Sequence, residues 1–185
     1  VNVDVLRALG SSLLEVNPRA RMIAVSTGAL YDPLQNMPLD EKSRLTVSGS
    51  PYALSKIAME RVATELREKG QDCIIVRPFN HIGPGQGHGF LVPDLLEKLR
   101  NMDPQNPKIN TGNLKTVRDY SDVRDIAKAY ADLACATTLN HGLYNVCSGK
   151  GRSGEEIMKT LCDTLGINHE TITIETDPSL VRPSD

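Results

Sequence analysis

The chain of 185 residues has the length of a single domain, and 39% of its residues are hydrophobic against 24% charged, as in globular proteins. Its 21 basic and 23 acidic residues leave a net charge of −2, which excludes the basic surface that nucleic acid or anionic lipid requires. No apolar stretch approaches the roughly 20 residues that cross a bilayer, and we expect a cytoplasmic protein without a signal peptide or membrane partner.

The first half of the chain alternates helical and strand patterns. Residues 21–25 and 72–77 are short apolar segments typical of buried parallel strands. Between them, residues 32–50 contain two prolines and predict a loop. Ser50-Pro51 then predicts a helix start, with serine as N-cap and proline at the first position. A first helix is predicted from apolar residues at helical spacing, Val3, Leu6, Leu9 and Leu13.

The second half continues this alternation. Helices are predicted over 93–99, after Asp122 and after Ser153, where Ser153 and Glu156 form a capping box. Strands are predicted over 108–112, 143–147 and 171–175. Strands that alternate with helices predict an α/β fold with a parallel sheet flanked by helices.

The cysteines and histidines predict no metal site. Cysteines occur far apart along the chain, at Cys73, Cys135, Cys147 and Cys162. No CxxC pair is present, and His81 and His88 have no third ligand at a suitable spacing. Since most of the cysteines lie in apolar segments, we expect buried thiols of a cytosolic protein.

The pair Tyr52 and Lys56 is the most informative chemical feature. Residues four apart lie on one face of a helix, so a phenol and an ammonium are held close together. The ammonium stabilises the phenolate, which makes Tyr52 a suitable proton donor or acceptor. Thr27 follows the strand at 21–25, and ligands bind beyond the carboxyl ends of parallel strands. The alternatives are a solvated lysine beside a half-buried tyrosine, and a threonine that only caps a turn.

Five motifs follow one another along nearly the whole chain: Thr27-Gly-Ala-Leu-Tyr31, Ser50-Pro-Tyr-Ala-Leu-Ser-Lys56, Arg77-Pro-Phe-Asn80, Arg118-Asp119 and Arg182-Pro183. In sequence and order they resemble the motifs of the extended short-chain dehydrogenases/reductases that act on nucleotide sugars. Within the family, Phe79-Asn-His-Ile-Gly-Pro-Gly-Gln86 and Tyr144-Asn-Val-Cys-Ser-Gly149 look most like GDP-6-deoxy-4-hexulose reductases, close relatives of the GDP-mannose 4,6-dehydratases.

This resemblance implies roles for individual residues. Tyr52 would give a proton to the C4 carbonyl oxygen, Lys56 would tune Tyr52, and Thr27 would position the same oxygen. The implied cofactor is NADP or NAD, bound by Ser26, Tyr52, Lys56 and Pro78. The implied substrate is a nucleotide sugar, with a GDP-sugar favoured, bound by Asn80, Phe90, Leu91, Arg118 and Arg182. Arginine suits a diphosphate because its planar fork pairs with phosphate oxygens. A surface ion pair is the alternative for Arg118-Asp119.

One departure from the family bears on the reaction. Dehydratases, and many of the related reductases, have a glutamate two residues after the threonine, where this chain has Ala29, so the chain also departs from the reductase pattern here. Alanine cannot move protons, so a 4,6-dehydratase is disfavoured. Besides the 4-ketoreductase, a nucleotide-sugar 4-epimerase and a non-catalytic protein that binds NAD or nucleotide sugars remain as alternatives.

The family's G-x-G-x-x-G dinucleotide fingerprint is absent from this sequence. We therefore expect a Rossmann-like domain whose pyrophosphate site lies outside the chain, which would be part of a longer protein. Residues 1–78 would be the later part of the cofactor domain. Residues 79–185 would be mainly a substrate-binding region, with strand 143–147 returning to the sheet. The resemblance also implies a homodimer formed through helices 3–15 and 51–69.

Overall fold

The structure is a computed structural model that describes residues 2–47 and 49–181. The described helices are α1 (Asn2–Val16), α2 (Pro51–Glu68), α3 (Leu91–Arg100), α4 (Val123–Cys135) and α5 (Gly154–Leu165). The described strands are β1 (Met22–Val25), β2 (Cys73–Pro78), β3 (Asn80–Ile82), β4 (Lys108–Thr111), β5 (Val117–Asp122), β6 (Leu143–Val146), β7 (Gly151–Ser153) and β8 (Thr173–Thr176). The chain divides into two compact units, residues 1–81 with 121–148 and residues 82–120 with 149–185.

The first unit is built on a parallel sheet in the order β1-β2-β6. Val25 of β1 lies opposite Val76 of β2, and Val76 lies opposite Tyr144 of β6. All residues of β2 are buried, as expected for a central parallel strand. The prediction of a parallel α/β sheet with strands near 21–25, 72–77 and 143–147 is confirmed.

Helices cover both faces of this sheet because alternate strand residues point to opposite sides. Ala24 and Ile75 belong to a buried cluster with residues of α1 and α2. Ile23 and Val76 belong to a second cluster with residues of α4. Local caps place α2: Ser50 Oγ accepts the amide of Ala53 at 3.2 Å. The predicted helix start at Ser50-Pro51 is therefore confirmed.

The second unit has its own apolar core between α3 and α5. Strands β4 and β8 pair in parallel, and β5 pairs with β7 in antiparallel fashion. Helix α5 begins with the predicted capping box, in which Ser153 and Glu156 bond reciprocally. The strand predicted over 171–175 begins only at Thr173, because Thr171 ends a short 3-10 helix at 169–171, and all four residues of β8 are exposed.

The cysteine prediction is half right. Cys73 and Cys162 are buried, whereas Cys135 and Cys147 are exposed. Cys147 follows the last residue of β6, and Cys135 is the last residue of α4, so neither is covered by the core. Within the described part of the chain, no helix has the length and apolar character needed to cross a membrane.

Candidate active site

The carboxyl end of β1 presents two hydroxyl groups in succession. The Ser26 amide extends the ladder by donating to Val76 O at 2.7 Å, and its side chain is buried. Ser26 Oγ has no hydrogen-bond partner among the described residues. Thr27 Oγ1 accepts the amide of Ala29 at 3.2 Å and caps the short helix at 28–30. That bond uses an acceptor site of Thr27, so its hydroxyl proton can still be donated.

Tyr52 and Lys56 lie on the first turns of α2, as predicted. Tyr52 is 53% exposed, and Lys56 Nζ lies 5.9 Å from the centroid of its ring. Lys56 Nζ also donates to Val25 O at 2.8 Å. Burial lowers the pKa of the Lys56 ammonium. Lys56 therefore connects the helix of Tyr52 to the end of the strand that leads to Thr27.

Tyr130 on α4 is a neighbour of Tyr52 that the sequence analysis did not assign to the site. Burial raises the pKa of Tyr130, and the nearby Tyr52 raises it further. Tyr130 packs against the cluster of Val76, Ile126 and Val146. Its helical spacing indicated the packing, but no sequence signal indicated the proximity to Tyr52.

The end of β2 places Pro78 and Asn80 differently. Pro78 is buried as the last residue of β2, while Asn80 is exposed as the first residue of β3. Between them, the ring of Phe79 stacks on Tyr31 with centroids 6.1 Å apart. The same ring lies against Gly28, where an added Cβ would be 3.0 Å from it. The close approach favours glycine at this position.

A buried polar network lies beneath these residues. Arg77 forms a two-pronged ion pair with Glu60, with Nε to Oε1 at 2.9 Å and Nη2 to Oε2 at 2.7 Å. Arg77 Nη1 also donates to the Tyr31 hydroxyl at 2.8 Å, and that hydroxyl donates to Asn145 Oδ1 at 2.7 Å. Sequence analysis identified Arg77 and Tyr31 only as parts of motifs and missed their contact.

Phe90, Leu91 and Arg118, which are also predicted substrate residues, belong to the second unit. Phe90 is 55% exposed and immediately precedes α3, whose first residue is the half-buried Leu91. Arg118 is half-buried in β5, opposite Arg152 of β7. Arg182 lies outside the described residues. The assignment of these residues to substrate binding stays a prediction.

The first unit fits the nicotinamide end of a dinucleotide. The buried Ser26 Oγ lacks a partner among the described residues, and such a buried polar atom is stabilised by a ligand group that bonds to it. The Thr27 hydroxyl and the Lys56 ammonium belong to the same strand end, because Lys56 binds Val25 O. These groups suit ribose hydroxyls and a carboxamide. Within the described ranges, no group of three metal-ligating side chains comes together.

Comparisons with known proteins find related sequences along most of the chain. Residues 1–147 match the sequence model of the NAD dependent epimerase/dehydratase family. GDP-6-deoxy-D-mannose reductase of Pseudomonas aeruginosa is 30% identical over 170 residues, which are 87% of this chain and 53% of that protein. GDP-6-deoxy-D-talose 4-dehydrogenase of Aggregatibacter actinomycetemcomitans is 29% identical over 175 residues, which are 94% of this chain and 56% of that protein. The chain thus spans about half the length of these curated relatives.

Other relatives and solved structures point to the same fold. UDP-arabinose and UDP-glucose 4-epimerases also match, at 24% to 28% identity. The solved structure of RMD from Pseudomonas aeruginosa in complex with NADPH has a TM-score of 0.83 and 25% identity. The match covers 98% of this chain and 62% of that one.

Proposed function

The chain belongs to the NAD dependent epimerase/dehydratase family, and on that basis we propose that it is part of an enzyme that reduces the 4-keto group of a GDP-linked 6-deoxyhexose with NADPH or NADH. The proposal depends chiefly on one observation, the proximity of Tyr52 and Lys56 on α2. Lys56 also bonds to Val25 O, which holds this pair at the end of β1. The GDP-sugar names of the two relatives described in detail support the choice of substrate.

Tyr52 is the proposed proton donor. When bound, the reduced nicotinamide supplies a hydride to C4 of the sugar. Tyr52, an exposed residue on the first turn of α2, then donates its hydroxyl proton to the C4 oxygen. The neighbouring Lys56 ammonium stabilises the phenolate that results, because an opposite charge nearby favours the ionised form.

In this proposal Thr27 also positions the substrate carbonyl, and Lys56 also positions the cofactor. The hydroxyl of Thr27 accepts from Ala29 and donates its own proton to the C4 oxygen, which orients the carbonyl. The Lys56 ammonium has three donors, of which one bonds to Val25 O and one contacts Met59 Sδ at 4.0 Å, and the third holds the nicotinamide ribose. Ser26 and Pro78 complete the proposed cofactor contacts.

The nucleotide sugar is the proposed ligand of Asn80, Phe90, Leu91, Arg118 and Arg182. Arg118 offers a planar, permanently charged fork to the diphosphate, and Asn80 adds a neutral donor. Phe90 and Leu91 add apolar side chains to this proposed set. In this proposal residues 1–78 form the later part of the cofactor domain, and residues 79–185 form mainly the substrate region, with strand 143–147 in the sheet.

The residues after Thr27 argue against dehydration. Ala29 is exposed and has no group that could transfer protons at C5 or C6 of a sugar. Gly28 lies against the Phe79 ring, so a larger residue there would require that ring to shift. The reaction we propose accordingly ends with the reduced C4 alcohol.

The full-length enzyme tests this proposal with a GDP-4-keto-6-deoxyhexose and NADPH or NADH. We expect one reduced cofactor to be consumed for each sugar reduced, and a UDP-4-keto sugar to react more slowly. Interconversion of UDP-hexoses without net consumption of cofactor would replace the reductase with an epimerase. Binding of nucleotide sugar without any turnover would identify a non-catalytic protein.

Assembly and location complete the proposal. Val5 and Leu9 on α1 and Leu54 on α2 are large apolar residues that are 42% to 57% exposed. Their exposure supports a homodimer through helices near 3–15 and 51–69, which would bury roughly 1,200 Å² or more in total.

Since the cysteines form no disulfide, a reducing cytoplasmic location is consistent with the chain.

A further inference from the structure

The ion pair of Arg77 and Glu60 is enclosed more completely than any task in the proposed chemistry demands. Arg77 is 5% exposed and Glu60 is 7% exposed. A buried ion pair is weak evidence for stability, because removing two charges from water often costs as much as their attraction returns. Its geometry, however, determines where the two segments that bear the charges lie. A contribution to folding stability alone therefore does not explain why this ion pair is buried.

Glu60 belongs to the helix of the proposed catalytic residues. It follows Lys56 by four residues and Tyr52 by eight on α2, so the three lie at successive turns. Its two carboxylate oxygens both accept from Arg77, which fixes the rotation of α2 about its own axis against β2. The direction in which α2 presents Tyr52 depends on that rotation.

Tyr31 belongs to the segment of Thr27. It directly follows the short helix at 28–30 that Thr27 caps. Its hydroxyl accepts from Arg77 and donates to Asn145, its ring lies 4.9 Å from the Arg77 guanidinium carbon, and Phe79 stacks on it. Both hydrogen-bonding roles of the hydroxyl are thus used inside the protein.

Tyr31 is therefore a fixed support rather than an acid. Burial raises the pKa of Tyr31 and outweighs the opposing effect of Arg77, so the phenol stays protonated at neutral pH. Arg77 Nη1 additionally donates to Glu41 O at 3.2 Å, and the backbone N–H of Asn145 donates to Glu41 Oε1 at 2.7 Å. The loop over 32–47 is held to the same network.

We propose that Arg77 is a positioning residue that sets the distance between Thr27 and the Tyr52–Lys56 pair by holding Tyr31 and Glu60 at once. The inference rests on the proposed function, since it assigns Thr27, Tyr52 and Lys56 to one reacting carbonyl. Lys56 makes the first connection between α2 and the end of β1, through Val25 O. The Glu60–Arg77–Tyr31 chain makes a second connection, to a residue that follows the short helix capped by Thr27. Apolar packing holds α2 on the sheet, and the two polar connections add a fixed direction at both of its contacts with the Thr27 segment.

Tyr31→Phe is the primary test, in the full-length enzyme. It removes the hydroxyl but retains the ring that stacks on Phe79, so the variant should fold. We expect kcat to fall roughly tenfold with KM changed less than about twofold, because misplacement of about an ångström can cost a hundredfold. Tyr144→Phe is the matched control. It deletes another tyrosine hydroxyl of the first unit, which accepts the backbone amide of His141, and should leave kcat unchanged.

A double variant separates positioning of Thr27 from a general loss of stability. If Tyr31 acts through Thr27, adding Tyr31→Phe to Thr27→Ala should lower kcat by less than about twofold. An equal loss of kcat in both backgrounds would overturn the inference. Arg77→Lys retains the charge but lacks the fork that reaches Glu60 and Tyr31 together. It should lose as much kcat as Tyr31→Phe, and full activity in this variant would also overturn the inference.

Hydrogen exchange provides a readout that does not depend on turnover. In Tyr31→Phe, amides over 27–31 should exchange at least about threefold faster, with no change over 59–66 and none in Tyr144→Phe. Unchanged exchange over 27–31 would refute the inference whatever the activity. A wild-type enzyme inactive with every nucleotide sugar, but with the expected exchange in Tyr31→Phe, would refute the proposed function and support the coupling of Tyr31 to the Thr27 segment.

Discussion

Lys56 Nζ lies 2.8 Å from the carbonyl oxygen of Val25, so the helix that presents Tyr52 is bonded to the last residue of β1. Burial of the ammonium lowers its pKa, yet the bond to a carbonyl dipole and the nearby phenol ring both favour the charged form. The lysine thus has a structural partner in addition to its proposed part in the reaction. Changes at either end of this contact should alter catalysis more than folding.

Tyr52→Phe should lower kcat of the full-length enzyme by roughly 10²–10⁴-fold, the usual value of general acid–base catalysis. The affinity for the nucleotide sugar should change little, since the proposed diphosphate contacts remain. Steady-state kinetics with NADPH and a GDP-4-keto sugar measures both quantities, and Tyr144→Phe is the control. Normal turnover in Tyr52→Phe would remove this residue from the mechanism.

Arg118→Ala should weaken substrate binding before it slows the chemical step. Loss of a charge-assisted contact to phosphate typically costs about 1.5–3 kcal/mol, so KM should rise roughly 10- to 150-fold with a smaller change in kcat. Arg100→Ala, at the exposed end of α3, removes the same charge from the same unit and should leave KM unchanged. An unaltered KM in Arg118→Ala would favour the surface ion pair as the role of this arginine.

Gly10→Ala should destabilise the protein although alanine favours a helix. An added Cβ would lie 2.1 Å from Cδ1 of the buried Leu66, so α1 or Leu66 must move. Overpacking costs about 1–3 kcal/mol, against a gain of about 1 kcal/mol in helix propensity. Thermal unfolding should show a lower Tm for Gly10→Ala, while Ser11→Ala on the exposed side of the same helix should not lower it. A raised Tm would show that Leu66 adapts without cost.

Asp122 should make stability depend on pH in acid. Bonds from the Arg124 side chain and amide lower the pKa of this N-cap carboxyl from 3.8 to about 2. A carboxyl whose pKa is lower in the folded than in the unfolded state stabilises the protein at pH values above its unfolded-state pKa. This stabilisation is lost as the pH falls toward 2. Asp122→Asn retains a good N-cap without the charge. The Tm of wild type should exceed that of the variant at pH 6, and the gap should close between about pH 4 and 2.

Thiol labelling should divide the cysteines into two pairs. Burial raises the pKa of the Cys73 thiol to about 11 and raises that of Cys162, so both should resist alkylation near pH 8. The exposed Cys135 and Cys147 should react in the native protein. Mass spectrometry after brief iodoacetamide treatment identifies the modified residues. Modification of Cys73 before unfolding would contradict the buried position of β2.

Local patterns in the sequence were sufficient for the helices, for the strands of the first sheet and for the pairing of Tyr52 with Lys56, but they did not predict β3, β5 or β7. The start of α2 at Ser50-Pro51 and the capping box at Ser153 depend on residues within one helical turn, so they can be predicted without knowledge of the fold. Tyr52 and Lys56 share a helix face for the same reason, because i and i+4 are adjacent on any helix. The parallel sheet followed from the alternation of apolar strands with helices.

Tertiary packing alone decided the contacts that join distant segments. Glu60 and Arg77 are 17 residues apart, and Tyr31 and Arg77 are 46 apart. No local periodicity predicts such pairs, since they depend on how α2 and the loop after Thr27 come together over β2. The exposure of Cys147 was missed for a similar reason: its apolar neighbours lie within β6, but the residue itself lies one position beyond the end of the strand. Burial depends on how helices and sheet pack together. A short sequence pattern indicates only whether a segment tends to be buried.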